Sequence, residues 1–116
     1  MKTRALILAI LLLPAPALAD VQAFRGRLAE DPANMVACRR FDEQIQRGHT
    51  VTLSDGRAEY TAPGGIRFRL DPLSAGVFGG TEELAGERLL YTFTLATKVL
   101  AVRGNNLGCK WSGTLQ

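Results

Sequence analysis

Cys38 and Cys109 are the chain's only cysteines, and they stand 71 residues apart. Two thiols so far apart lack the close ligand pairs of zinc sites and the C-x-x-C of oxidoreductases. An even, widely spaced pair reads instead as one structural disulfide. Closing a loop of that length is worth about 4 kcal/mol on the chain-entropy account. Cys109 sits in the closing stretch NNLGCKWSGTLQ, two residues before the only tryptophan, Trp111. A strand so near a chain end frays unless something ties it down. A disulfide and a large aromatic anchor on one strand face would do so.

A disulfide needs an oxidising compartment, and the first residues agree with one. In MKTRALILAILLLPAPALA (residues 1–19), Lys2 and Arg4 precede the apolar run Ala5 to Leu13. Pro14 and Pro16 break that run, and Ala17 and Ala19 supply the small residues signal peptidase reads. This is the pattern of a secretory signal peptide, cleaved between Ala19 and Asp20. The run is far short of the roughly twenty apolar residues that span a bilayer, so no transmembrane anchor is expected after cleavage. The expected mature chain, residues 20–116, is one small domain in the periplasm or outside the cell.

The leader takes two cations with it. The whole chain has 14 Lys and Arg against 11 Asp and Glu; without Lys2 and Arg4 the balance is close to neutral. Nucleic-acid binders show a stronger or clustered cationic excess, so no nucleic-acid partner is expected.

Along the mature chain, VQAFRGRL reads as a strand with Phe24 and Leu28 on one face and Arg25 and Arg27 on the other. The period then changes. At 100° per residue Met35, Cys38, Phe41 and Ile45 fall on one stripe, with Arg39, Arg40, Glu43 and Arg47 opposite. Asp31 with Pro32 behind it, or Asn34, would start this helix, and Gly48 would end it. From His49 the residues alternate, and Asp55-Gly56 marks a tight hairpin turn. IRFRL puts Ile66, Phe68 and Leu70 inward and Arg67 and Arg69 outward, and Asp71-Pro72 ends that strand. Residues 71–87, rich in glycine and acid, are expected to be irregular, with a short strand at Val77-Phe78. The long run 88–104 splits near Ala96-Thr97-Lys98. Cys109, Trp111 and Gly113 share a face of the last strand, placing Cys109 opposite Cys38 on the helix.

Chemistry is sparsely signalled. His49, the lone histidine, stands at a helix-to-strand junction and is expected to be a surface or capping residue. With both cysteines bonded, no thiol is left as a nucleophile. Asp71, Glu82, Glu83 and Glu87 lack the alternating order of a calcium loop and read as solvated. No metal or cofactor is expected, and no catalytic residue is assigned. The arginines stand out. Arg25, Arg27, Arg67 and Arg69 would protrude from one sheet face, and guanidinium forks suit carboxylates and phosphates. Were their strands neighbours, the four would make a patch for an anionic ligand.

The layout resembles that of small periplasmic lysozyme-inhibitor barrels, with a signal peptide, about a hundred strand-rich residues and a cysteine towards each end. Neither GGIRF nor GGTEEL carries that family's inhibitory loop motif, so no site residue follows from the resemblance. The expected fold is α+β. A curved antiparallel sheet of six or seven strands, partly closed into a barrel, carries one packed helix. The expected function is non-enzymatic: an exported module that binds another protein or an envelope component through its strand faces or the 71–87 segment. The alternatives are an inhibitor of a lysozyme-like or other envelope hydrolase, and a small hydrolase with a site the sequence does not mark.

Overall fold

A computed structural model of the chain describes residues 20–116; the expected leader, residues 1–19, lies outside the described residues. Nine strands form the sheet: β1 (Val21–Arg27), β2 (Ala29–Glu30), β3 (Gly48–Ser54), β4 (Arg57–Thr61), β5 (Arg67–Ser74), β6 (Val77–Leu84), β7 (Glu87–Thr94), β8 (Val99–Gly104) and β9 (Lys110–Thr114). All neighbours are antiparallel, in the order β1-β3-β4-β5-β6-β7-β8-β9-β2. Only Leu28 separates β1 from β2, yet the two occupy opposite ends of that order. The sheet therefore curls until both edges meet along one line of chain, giving a nearly closed barrel.

At the seam, Arg25 and Gln116 exchange both backbone hydrogen bonds, at 2.9 and 2.8 Å. Two glycines permit this approach. A Cβ on Gly113 would overlap the Arg27 carbonyl oxygen, and one on Gly26 would come within 2.9 Å of the Thr114 carbonyl.

The strand number exceeds the six or seven expected because Ala29–Glu30 pair as β2 and because residues 71–87 are not irregular. β5 runs on through Asp71 and Pro72. Its pairing with β4 stops at Leu70, so Pro72 has only β6 beside it and its missing N–H leaves no ladder bond unmade on the β4 side. Gly79 and Gly80 are strand residues too. Leu73 occupies the place of a Gly79 side chain, while Phe68 and Leu70 occupy that of Gly80. The β6–β7 hairpin turns at Ala85-Gly86, both at positive φ (51° and 81°), as Asp55-Gly56 do between β3 and β4 (54° and 73°). Those paired left-handed residues match the twist of a two-residue hairpin. The expected break at residues 96–98 is the β7–β8 turn.

The helix is shorter and later than its sequence pattern implies. A 3-10 turn, Val36–Cys38, leads into α1 (Arg39–Ile45). Asp31 caps a turn instead, its carboxylate accepting from the Ala33 N–H at 2.8 Å. Asn34 stitches to β9, donating to the Lys110 carbonyl (2.8 Å) and accepting from the Lys110 N–H (2.9 Å). Because the chain is held to β9 up to Lys110's partner, helical geometry starts only after it. Met35, placed on the buried stripe by periodicity, is therefore 54% exposed, whereas Cys38, Phe41 and Ile45 are buried. α1 joins β2 to β3, and its buried residues Phe41 and Ile45 belong to the same core cluster as the inward strand residues. Phe41 meets Trp111 edge-on, ring centroids 6.1 Å apart, and the Trp111 indole N–H donates to Asp42 at 2.9 Å. The Cys38–Cys109 disulfide is present, with Cα atoms 5.7 Å apart, and both residues are wholly buried.

Strand parity decides the rest of the core. Val51 and Leu53, Tyr60, Leu70, Phe78, Leu89, Tyr91 and Phe93, Leu100 and Val102 all face inward and form one cluster. Burying each such side chain is worth roughly 1.5–3 kcal/mol, offset by the entropy of ordering it.

Candidate functional site

Two places carry chemistry. The first is the arginine face foreseen from sequence, though its geometry differs. β1 and β5 are not neighbours, because β3 and β4 lie between them. The crossover through α1 returns the chain beside β1 as β3, and the β3–β4 hairpin then fills two positions before β5. Three interstrand steps put the pairs Arg25/Arg27 and Arg67/Arg69 about 14 Å apart. The condition for a compact four-guanidinium patch, that the two strands be neighbours, is thus not met. Register nevertheless aligns them: Arg25, Thr50, Thr61 and Arg67 form one row across four strands, and Thr52, Glu59 and Arg69 lie in the next. The outer face is a floor of hydroxyls, Thr50, Thr52, Ser54 and Thr61, with one carboxylate, Glu59, among them and arginines on either side. Arg57 adds a fifth cation at the hairpin end. Arg69 lies 3.8 Å from Asp71, while Arg25, Arg27, Arg57 and Arg67 make no ion pair among the described residues.

The second place was not legible as a site. The region beneath α1 contains His49, Tyr60, Tyr91 and Glu82. His49 is 1% exposed, so it is not a surface residue, but it does take the other role expected of it, capping the last carbonyl of α1 at Ile45. β3 starts one residue earlier, at Gly48, so parity turns His49 inward with Val51 and Leu53. Its Nε2 lies 2.5 Å from the Ile45 carbonyl oxygen and its Nδ1 2.5 Å from the Tyr60 hydroxyl. A carbonyl can only accept, so Nε2 carries the proton and Nδ1 accepts from Tyr60. The Tyr91 hydroxyl donates to Glu82 at 2.8 Å, and the two tyrosine rings pack with centroids 4.6 Å apart. Burial pushes both phenols well above their ordinary pKa, so neither ionises in the working range.

These residues line a cleft of about 150 Å³ between the C-terminal end of α1, the Ala62–Ile66 turn and the end of β6. The turn contributes Pro63 and the exposed Ile66 to its rim.

Burial lowers the His49 pKa below 6.5, and the hydrogen bond to Ile45 only partly opposes this. The neutral ring is favoured in the folded state, so the unfolded chain binds a proton first on acidification. Stability should be intact above pH 6.5 and fall as the pH drops from there towards the folded-state value. Denaturant midpoints at pH 7.5, 6.5 and 5.5 should show this fall. His49→Gln, less stable throughout, should lose the dependence between pH 6.5 and 5.5. Equal slopes for the two proteins would show that His49 does not set it.

Glu87, which its acidic surroundings in sequence place among solvated residues, is 1% exposed. It accepts from the Asn106 N–H (3.1 and 3.2 Å) and the Leu107 N–H (2.9 Å), organising the turn before β9. Gly104 makes room for it, since a Cβ there would come within 2.6 Å of the carboxylate. The alternation Glu87, Leu89, Tyr91, Phe93 was the available clue, and Phe78, Gly80, Glu82, Leu84 was the clue for Glu82. In comparisons with known proteins, no family model, curated protein or solved structure matches the chain.

Proposed function

We propose that this chain is an exported, non-enzymatic binding protein whose ligand is an anionic polysaccharide of the cell envelope, held on the arginine face of β1, β3, β4 and β5. The observation that carries this reading is the register. It fixes two arginine ridges at opposite sides of a floor of four hydroxyls and one carboxylate, Glu59, with four of the five guanidinium groups free of carboxylate partners among the described residues, so cations outnumber acids on this face. Guanidinium forks bind carboxylate or sulfate oxygens and hydroxyl side chains supply the remaining polar contacts. Export is supported by the residue 1–19 pattern and by the disulfide, which persists in oxidising compartments. The hydrolase alternative finds little to use, because both nitrogens of His49 are engaged.

The test uses the protein as recovered from the periplasm, where its intact mass should equal that of residues 20–116 less two hydrogens. Heparin, a soluble anionic polysaccharide, should bind at 0.15 M salt, and neutral dextran should not. Exposed charge pairs contribute about 0.2–1 kcal/mol each, so replacing Arg25, Arg27, Arg67 and Arg69 with glutamine should weaken binding on the order of ten- to a hundredfold. A charge-matched variant with Arg39, Arg40, Arg47 and Arg103 replaced should retain most of the affinity. Equal losses in the two variants would leave only non-specific charge attraction, and the reading would fail.

A further inference from the structure

The cleft beneath α1 has a property that the arginine face does not share. Among its lining residues Glu82 is the only acid and Arg47 the only fixed cation. Arg47 is engaged elsewhere, 3.2 Å from Glu43 on the exposed side of the helix. The nearby Arg88 is likewise held by Glu83 at 3.0 Å. His49 is neutral and has spent both ring nitrogens. Glu82 therefore presents a half-buried carboxylate with no cation beside it, on the inward face of β6, where Phe78 and Leu84 are its parity neighbours. A carboxylate has about four lone-pair sites. Tyr91 takes one, on Oε1, and no other donor is bonded to Glu82 among the described residues.

Glu82 Oε2 therefore has room for a donor, and no cation faces it from the cleft walls. The walls define what would fit there. Ile45, Ala62, Pro63, Ile66 and Leu84 are aliphatic, and the two tyrosines close the floor. We propose that this cleft binds a primary alkylammonium group, with the ammonium on Glu82 Oε2 and the alkyl stem along the aliphatic wall. A volume of about 150 Å³ matches an engineered cavity that accepts benzene, which is large enough for a four-carbon stem. Cation and stem together are the end of a lysine side chain. A partner protein could supply it, with its backbone resting on the Pro63–Ile66 rim, or a free amine could.

Isothermal titration and amide NMR shifts of the mature protein test this with n-butylammonium, n-butanol and butyrate as probes. A ligand of five heavy atoms should reach a Kd on the order of millimolar. n-Butylammonium should shift the amides of Gly64, Ile66 and Leu84 and bind at least tenfold more tightly than butanol, with butyrate weakest. Glu82→Gln should abolish the preference for ammonium over butanol. The wild-type comparison of the three probes stands even if that variant is unstable. Capping the peptide Gly-Lys-Gly at both ends separates the two sources. Tighter binding than n-butylammonium identifies a protein lysine, and weaker binding identifies a free amine. Butanol binding as tightly as n-butylammonium, or unmoved cleft amides at tens of millimolar probe, would overturn the proposal. Neither result bears on the arginine face.

Discussion

Trp111→Ala should lower the unfolding free energy by about 3–5 kcal/mol, the range for truncating a large buried ring. Trp111 is 1% exposed, packs edge-on against Phe41 and anchors Asp42 through its indole N–H. Its loss opens a cavity where helix, closing strand and disulfide meet. Small domains have only about 5–15 kcal/mol in total, so the variant should be largely unfolded in mild denaturant. Far-UV circular dichroism is the readout, since the substitution removes the only tryptophan. Trp111→Phe keeps most of the packing but not the donor, and should fall between the two. An unchanged melting temperature in the alanine variant would place the indole outside the core.

Replacing Cys38 and Cys109 together with alanine should cost about 4 kcal/mol, because the unfolded chain regains the freedom of a long loop. Alanine is preferred to serine here, since both sites are wholly buried and a hydroxyl would need a partner. The oxidised protein should resist mild reductant, as structural disulfides of low reduction potential do. Thiol counting on denatured, unreduced protein checks the bond itself, and two free thiols would refute it. Heparin binding by the folded fraction of the variant should persist, because the arginine ridges lie on other strands.

What could be read from the sequence was whatever local period or turn chemistry imposes. The Cys38–Phe41–Ile45 stripe, the Asp55-Gly56 turn, the β7–β8 break and the shared face of Cys109 and Trp111 all follow from neighbours in the chain. Misread features depended on partners far away. Asp71-Pro72 looked like a stop because nothing local says that β4 has already ended its pairing. Gly79 and Gly80 looked like a loop because the side chains that fill their space, Leu73, Phe68 and Leu70, come from another strand. Ala85 gives no sign of the left-handed conformation it adopts. Glu82 and Glu87 looked solvated because polar type outweighed parity, and parity decided; for His49 the capping role was legible but not its burial. The arginine pairs were identified correctly as outward, but strand order is set by the crossover, which no residue spells out.

The line of chain that runs through β1 and β2 supplies both edges of the sheet, and this has a kinetic side. Nothing in the barrel can close until residues near the two ends of the domain find each other. The Glu30–Trp111 pairing spans about 80 residues in a reduced chain, whereas the bond at Cys38 and Cys109 shortens that path to about ten, an entropy saving of nearly 2 kcal/mol by the logarithmic loop law. Oxidation ahead of closure therefore turns a search across the whole domain into a local one, of the sort a hairpin makes, and speeds the last step of folding by roughly twentyfold on the same estimate. A disulfide formed first would thus guide how the barrel shuts as well as how firmly it stays shut.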